Sequence, residues 1–347
     1  MTQPTLGLIV GCQRSGTNLL ASLLDRGTDC AVTTDDPVAA RFARLLPLAG
    51  DLTDAGARCA LVGAIYAYLY AWELRDRQGA GLPPTARFGL LATAARRAEI
   101  ADGARSFEAI LYGMYGAYAR LRDRAWAVGK CAFRAPLPFE ALDEAVPTLR
   151  LVHIIRDGRD VAASWQRTYF GPVGIANAGR AWSTSVQACR AWGRANTGRY
   201  HEVRYEHLVT SPNEVIDGVA AFLGCARTPD RGAGAREQSI ARVPWLTDLA
   251  SLPRGDKVGA WRGQLSKANV SAFAAVAGPT LADLGYANSS GAAGMPAVRD
   301  TKALLAPITW RRAAAETLPR LLLVSARWHL PIHAVLLRRL DRALNAL

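Results

Sequence analysis

The sequence holds 347 residues, half of them apolar, enough for one large domain or for one domain with a small appendage. Its 42 Lys and Arg exceed its 29 Asp and Glu, a formal net charge of +13, so polyanionic partners suit it: a phosphate-rich cofactor, an anionic membrane or nucleic acid. The arginines are scattered, with no compact basic stripe of interleaved aromatics, which places nucleic acid last, and the longest nearly uncharged run, Leu61 to Trp72, is too short to span a bilayer.

Leu6 to Val10 is a short apolar run that reads as a strand buried on both faces. Gly11 to Asn18 then supplies glycines, small hydroxyls and Arg14, before Leu19, Leu20, Leu23 and Leu24 follow at helical spacing. Strand, small-residue loop and helix point free backbone N–H groups and a helix dipole at an anion. No lysine precedes Thr17, so the loop is not the nucleoside-triphosphate pattern; the alternative is an ordinary turn with an incidental arginine. Cys30 to Thr33 reads as a second strand ending in Thr34-Asp35-Asp36-Pro37. Two carboxylates at a strand's C-terminal end stand where open α/β sheets place their chemistry, although Asp36 serves equally well as a helix cap before Pro37.

Residues 38–125 read as mainly helical, with helices over Ala57–Arg77, Phe88–Arg105 and Phe107–Arg122 broken by the Gly/Pro segment at 79–84. An excursion of that length predicts a helical cap over the site. Tyr66, Tyr68, Tyr70, Trp72, Tyr112, Tyr115 and Tyr118 line either an acceptor pocket or, as aromatics at helical spacing more often do, a core. Ala125 to Phe133 is the third strand, carrying Lys130 among apolar neighbours, which calls for an anionic partner. Leu149 to Ile155 is the fourth, and it runs into Arg156-Asp-Gly-Arg-Asp-Val-Ala-Ala-Ser164, a second basic turn opening a helix. Arg156 and Ser164 are suited to a second phosphate, separate from the first; His153, inside the strand, reads as a satisfied core histidine.

Val203 to Val209 reads as a fifth strand or its edge, followed by an amphipathic helix from Ser211-Pro212 to Gly224. Leu252 to Arg262 is turn-rich and basic, and a further helix ends at Leu284-Gly285-Tyr286. Residues 288–300 form a Ser/Gly/Ala linker, and 301–347 a helical tail broken at Pro319 and Pro331, with nine Lys/Arg and three Asp/Glu from position 299 onward. The six cysteines, at 12, 30, 59, 131, 189 and 225, show no C-x-x-C pair and no zinc spacing. They are expected as reduced, mostly buried thiols of a cytoplasmic protein, and the N-terminus shows no signal peptide.

Three of these segments together resemble the sulfotransferase family. Gly11-Cys-Gln-Arg-Ser-Gly-Thr-Asn-Leu-Leu is similar to its 5′-phosphosulfate loop, and Leu151-Val-His-Ile-Ile-Arg-Asp-Gly-Arg-Asp-Val-Ala-Ala-Ser-Trp to its 3′-phosphate motif. Lys257-Val-Gly-Ala-Trp-Arg resembles its cofactor-closing segment. The resemblance implies an α/β fold, a parallel sheet of about five strands with a phosphate loop, in a sulfotransferase domain over 1–287. It implies metal-free transfer of a sulfuryl group from 3′-phosphoadenosine 5′-phosphosulfate to an acceptor hydroxyl on a lipid, glycan or other small molecule. Arg14 then serves the bridging oxygen, Ser15, Gly16, Thr17 and Asn18 the 5′-phosphate, Arg156, Ser164 and Arg254 the 3′-phosphate, and Tyr205 the adenine. Lys130 and either Asp35 or Asp36 complete the catalytic set, because Ala132 stands where one branch of the family has its histidine base and Asp35 falls where others have a glutamate. Asn18 replaces a usual threonine or serine. The alternatives are a small-molecule kinase of the phosphate-loop superfamily, disfavoured by the missing lysine and by Arg156 in place of a magnesium-binding aspartate, or a non-catalytic nucleotide-binding membrane adaptor. The tail's leucines, tryptophans and arginines suit either packing on the protein or a second copy, or peripheral contact with anionic lipid at the cytosolic membrane face.

Overall fold

The computed structural model describes residues 5–33, 37–80, 93–133, 135–168, 171–231, 255–286, 310–328 and 331–345. Strand β1 (Gly7–Cys12) leads into helix α1 (Thr17–Gly27), then β2 (Cys30–Val32) and the short helices α2 (Val38–Phe42) and α3 (Leu46–Ala49). Three longer helices follow, α4 (Ala55–Ala80), α5 (Ala94–Gly103) and α6 (Phe107–Leu121), before β3 (Trp126–Phe133), α7 (Phe139–Ala145) and β4 (Arg150–Ile155). Helix α8 (Gly158–Trp165), α9 (Ile175–Ala195), β5 (Tyr200–Arg204), α10 (Tyr205–Thr210) and α11 (Pro212–Leu223) come next. The chain closes with α12 (Trp261–Gln264), α13 (Lys267–Asp283), α14 (Trp310–Arg327) and α15 (Pro331–Asn345).

The five strands form one sheet in the order β2-β3-β1-β4-β5, every pair parallel, as the resemblance implies. Central β1 sets Ile9 beside Lys130 of β3 and Val152 of β4. Its side chains alternate between two cores. Leu6, Leu8 and Val10 face one layer, where α4, α6 and α14 supply Ile65, Tyr68, Tyr115 and Leu322; Ile9 faces the other, with Leu20 and Leu24 of α1 and Val219 of α11. The chain leaves β1 toward β2 and leaves β4 toward β5, in opposite directions across the sheet. The β1/β4 boundary is therefore a topological switch point, with a crevice at the strands' C-terminal ends.

Helices α4 to α6, expected as a cap over the site, cover a face of the sheet. Tyr66, Tyr68, Tyr70, Tyr115 and Tyr118 are buried there, so these aromatics build core. Other expectations need correction. Tyr205–Thr210 is helix, not strand, because β5 stops at Arg204, level with the end of β4 at Ile155, and Tyr205 turns onto the loop after β1. Pro319 does not break the tail: α14 runs through it, since Leu322, Leu323 and Ala326 dock against α4 and outweigh one lost backbone hydrogen bond. Pro331 does start a new helix. Cys30 and Cys225, expected as thiols, are joined in a disulfide, because the start of β2 lies beside the chain leaving α11, with Cα atoms 6.0 Å apart. Cys12, Cys131 and Cys189 are buried thiols and Cys59 is exposed. His153 is fully buried in the core and half satisfied: its Nδ1 hydrogen-bonds the Tyr200 hydroxyl at 2.7 Å, while its Nε2 has no hydrogen-bond partner among the described residues. The linker at 288–300 lies outside the described residues. Among those residues, no helix is long and apolar enough to cross a membrane.

Candidate functional site

The loop after β1 is built from backbone. Gln13 N–H donates to the Phe133 carbonyl at 2.8 Å and Ser15 N–H to the Cys12 carbonyl at 3.0 Å, folding the chain back over the sheet edge. Arg14 and Gly16 both take the left-handed conformation, at φ 75° and 99°. Gly16 is required twice over, since a Cβ there would also lie 2.5 Å from the Tyr205 ring. Helix α1 starts at Thr17 with no side-chain cap, leaving its first N–H groups and the positive end of its dipole facing the crevice. The Ser15 hydroxyl is buried beside them and has no hydrogen-bond partner among the described residues. A buried donor in that condition calls for an acceptor from outside the protein.

The turn after β4 supplies the other half. Asp157 caps α8 by accepting from Arg159 N–H at 2.9 Å. The Arg156 guanidinium lies 4.3 Å over the Tyr205 ring and donates through Nη2 to the Lys257 carbonyl at 2.5 Å, while its Nε is buried without a partner among the described residues. Ser164, near the end of α8, accepts from Arg14 Nε at 2.9 Å. The two anion sites read as separate in the sequence thus meet through one hydrogen bond. Burial first, then repulsion from Arg156 and Arg167, pushes the Arg14 guanidinium down to about 10. A guanidinium held beside two others that disfavour its charge marks a site for an anion of more than one charge.

Lys130 is buried at 4% exposure, and its Nζ donates to the Asn18 side-chain oxygen at 2.9 Å. Its backbone N–H donates at 2.9 Å to the hydroxyl of Thr33, the last described residue after β2. The end of β2 is therefore tied to the lysine's own strand. Asp35 and Asp36 themselves lie outside the described residues, as does Arg254. Thr17 is buried at the start of α1. Tyr205 is 6% exposed, with its ring packed between Gly16 and Arg156.

Sequence reasoning missed Asp160, which accepts from the backbone of the 255–262 segment, and the Lys257 carbonyl, since a main-chain acceptor carries no residue signal. It also missed Arg167 and the whole of α9, whose buried Ala178, Trp182, Val186 and Cys189 repeat every three to four residues and were there to be read.

The model of the sulfotransferase family matches residues 8–230. Among solved structures, the chain is similar to the sulfotransferase domain from the curacin biosynthetic pathway, at 14% identity and TM-score 0.49, covering 83% of this chain and 99% of that one. It is similar to the sulfotransferase domain from the Synechococcus PCC 7002 olefin synthase, at 16% identity and TM-score 0.42, covering 79% and 94%. Retinol dehydratase in complex with androsterone and inactive cofactor PAP is a third, at 15% identity and TM-score 0.37, covering 85% and 84%. No curated protein matches the chain.

Proposed function

This chain belongs to the sulfotransferase family, and from that premise we propose that its donor is 3′-phosphoadenosine 5′-phosphosulfate and its acceptor a hydroxyl on a small molecule or lipid. The donor carries an activated sulfuryl group between two anionic ends. The observation that carries the reading is the Arg14–Ser164 hydrogen bond, which joins the phosphate loop to the helix after Arg156, beside the half-buried guanidinium groups of Arg14 and Arg156. Ser15 Oγ and Arg156 Nε, both buried without partners among the described residues, fit a ligand with phosphates at both places.

In this reading Ser15, Gly16, Thr17 and Asn18 hold the 5′-phosphate on the N-terminus of α1, and Arg156, Ser164 and Arg254 hold the 3′-phosphate. Arg14 lies between the two groups, where it can neutralise charge arising on the bridging oxygen as the sulfur–oxygen bond breaks. Lys130, oriented by Asn18, adds a second cation at that point. Asp35 or Asp36 takes the proton that the acceptor oxygen gives up as it bonds to sulfur. Tyr205 has its ring face on Arg156, so its contact with adenine is by an edge. The assignment needs no metal ion, since arginine and lysine supply the positive charge.

For partners we propose the outer face of α14 and α15. Leu321, Trp328, Ile332 and Val335 are 40–69% exposed there, beside exposed Arg320, Arg338, Arg339 and Arg342. Apolar residues flanked by arginines favour an anionic bilayer over a second copy, which would set arginines against arginines. A lipid acceptor would reach the site from that surface.

The test is binding of adenosine 3′,5′-bisphosphate without metal, compared with ATP and Mg²⁺, by thermal shift, followed by a labelled-donor assay with products identified by mass. A chain stabilised only by ATP and Mg²⁺ would overturn the donor assignment. Binding without turnover would leave an adaptor.

A further inference from the structure

We infer that Asp160 is a positioning residue that latches the 255–262 segment onto the turn after β4 and so fixes the orientation of Arg156; the inference rests on the donor reading above. Asp160 is the third residue of α8 and is 2% exposed. An acidic residue in a first turn usually serves its own helix, but that cap is already filled by Asp157. The Asp160 carboxylate reaches across to a segment about a hundred positions along the chain. Its Oδ2 accepts from Gly259 N–H and its Oδ1 from Trp261 N–H, each at 2.8 Å.

Both oxygens are thus spent on amides either side of Ala260. Gly259 adopts φ 70°, the left-handed conformation that turns these two amides toward one acceptor, and a Cβ there would collide with the Arg262 guanidinium. Trp261 is gripped from its face by Arg159, whose guanidinium lies 4.1 Å over the ring and is itself paired with Asp157 at 2.7 Å. Two residues before Gly259, the Lys257 carbonyl accepts from Arg156 Nη2, and that nitrogen lies 3.8 Å from Asp160 Oδ2. The contacts close a ring: Asp160 holds the segment, the segment's carbonyl holds Arg156, and Arg156 faces Asp160.

A buried carboxylate beside an anion site would weaken anion binding if its only action were through charge. Placed on two main-chain amides, it instead removes the freedom of the segment and of the Arg156 side chain, an ordering cost that the ligand would otherwise meet on binding. Asp160 touches neither donor nor acceptor in this account. It acts through Lys257 and Arg156.

The experiment uses the full-length chain with Asp160→Asn and Asp160→Ala. Amide hydrogen exchange at Gly259 and Trp261 is measured beside calorimetric titration with adenosine 3′,5′-bisphosphate and the KM and kcat for donor. In Asp160→Ala the two amides should exchange at least about tenfold faster while β1 and β4 keep their protection, since each loses a charge-assisted acceptor. Bisphosphate affinity and donor KM should worsen about ten- to hundredfold, with kcat at saturating donor within about threefold, because the chemical groups are untouched. Asp160→Asn keeps one oxygen and should fall between, and it carries the test if the alanine variant does not fold. Unchanged exchange at the two amides, or a loss of kcat with donor KM unaltered, would overturn the latch. If the unmodified protein fails to bind the bisphosphate, the donor reading falls, while exchange at Gly259 and Trp261 still decides whether Asp160 holds the segment.

Discussion

Arg14 Nε donates to Ser164 Oγ at 2.9 Å, linking a residue of the loop after β1 to one on the helix after β4. The bond crosses the β1/β4 switch point, so one ligand can meet Arg14 and Ser164 together. Arg156→Ala should remove a charge-assisted contact worth about 1.5–3 kcal/mol, a ten- to hundredfold loss of bisphosphate affinity seen by calorimetry. Arg14→Ala should lower kcat more than affinity, because its charge is needed most as the leaving oxygen forms. Equal small effects of both substitutions on binding and on rate would remove the assignment.

The base is the next prediction. Asp35 and Asp36 follow in sequence on Thr33, whose hydroxyl accepts from the Lys130 backbone N–H. If Asp35 takes the acceptor's proton, Asp35→Asn should cut turnover about 10²- to 10⁴-fold at nearly unchanged bisphosphate affinity. Asp36→Asn should then leave turnover and stability nearly unchanged, since Pro37 and not Asp36 stands at the N-cap of α2 and asparagine caps a helix as well as aspartate does. Full activity of the double variant would place the base elsewhere.

What the sequence disclosed was local. The anion loop at 11–18 and the basic turn at 156–164 announce themselves because a strand, a turn and a helix follow within a few residues, and four of the five parallel strands lie on the runs read as strands, whereas the fifth, Tyr200–Arg204, is mostly polar and overlaps its reading only at Val203 and Arg204. Contacts between residues far apart in the chain were not legible. Nothing in the spacing says that Arg14 meets Ser164, that Asp160 meets Gly259 and Trp261, or that Cys30 lies beside Cys225, since each depends on which elements the sheet order brings together. Pro319 shows the same limit from the other side. A strong local breaker sits inside α14 because Leu322 and Leu323 next to it find a core to fill.

His153 gives a pH prediction. Burial, then the positive charges of Arg190 and Arg204, holds its imidazole down at about 3, against an ordinary value near 6.5. A depressed folded-state value means the unfolded chain takes up the proton first. The stability conferred by a neutral His153 is therefore complete above about pH 6.5 and is lost as pH falls toward 3. His153→Leu removes that titration and also its hydrogen bond to Tyr200, which retains Glu202 at 3.2 Å. Its denaturation midpoint at pH 8 should fall, by about 1 kcal/mol for the lost bond, while its slope between pH 6.5 and 3 flattens. A variant with the unmodified protein's acid sensitivity would show that other groups govern it.

The last prediction concerns the tail. Its inner face is part of the protein: Leu322 and Leu323 are fully buried, Arg97 pairs with Asp341 at 3.0 Å, and Arg327 donates to the Leu48 carbonyl at 2.9 Å. Deleting the tail would strip that core, so the surface must be tested by point substitution in the full-length chain. Trp328 at 69% exposure, with Leu321, Ile332 and Val335, offers apolar area, and Arg338, Arg339 and Arg342 supply charge. An arginine near an anionic bilayer contributes about 1 kcal/mol, screened within a Debye length. Sedimentation with phosphatidylserine-containing vesicles should therefore exceed that with neutral vesicles and fall as salt rises. Arg338→Glu with Arg339→Glu should reduce it at least about tenfold on the same arithmetic, and Trp328→Ser should weaken it without changing the fold, as circular dichroism would report. If the unmodified chain ignores anionic vesicles, both tail helices are structural, and the acceptor is a small molecule that reaches the crevice from water.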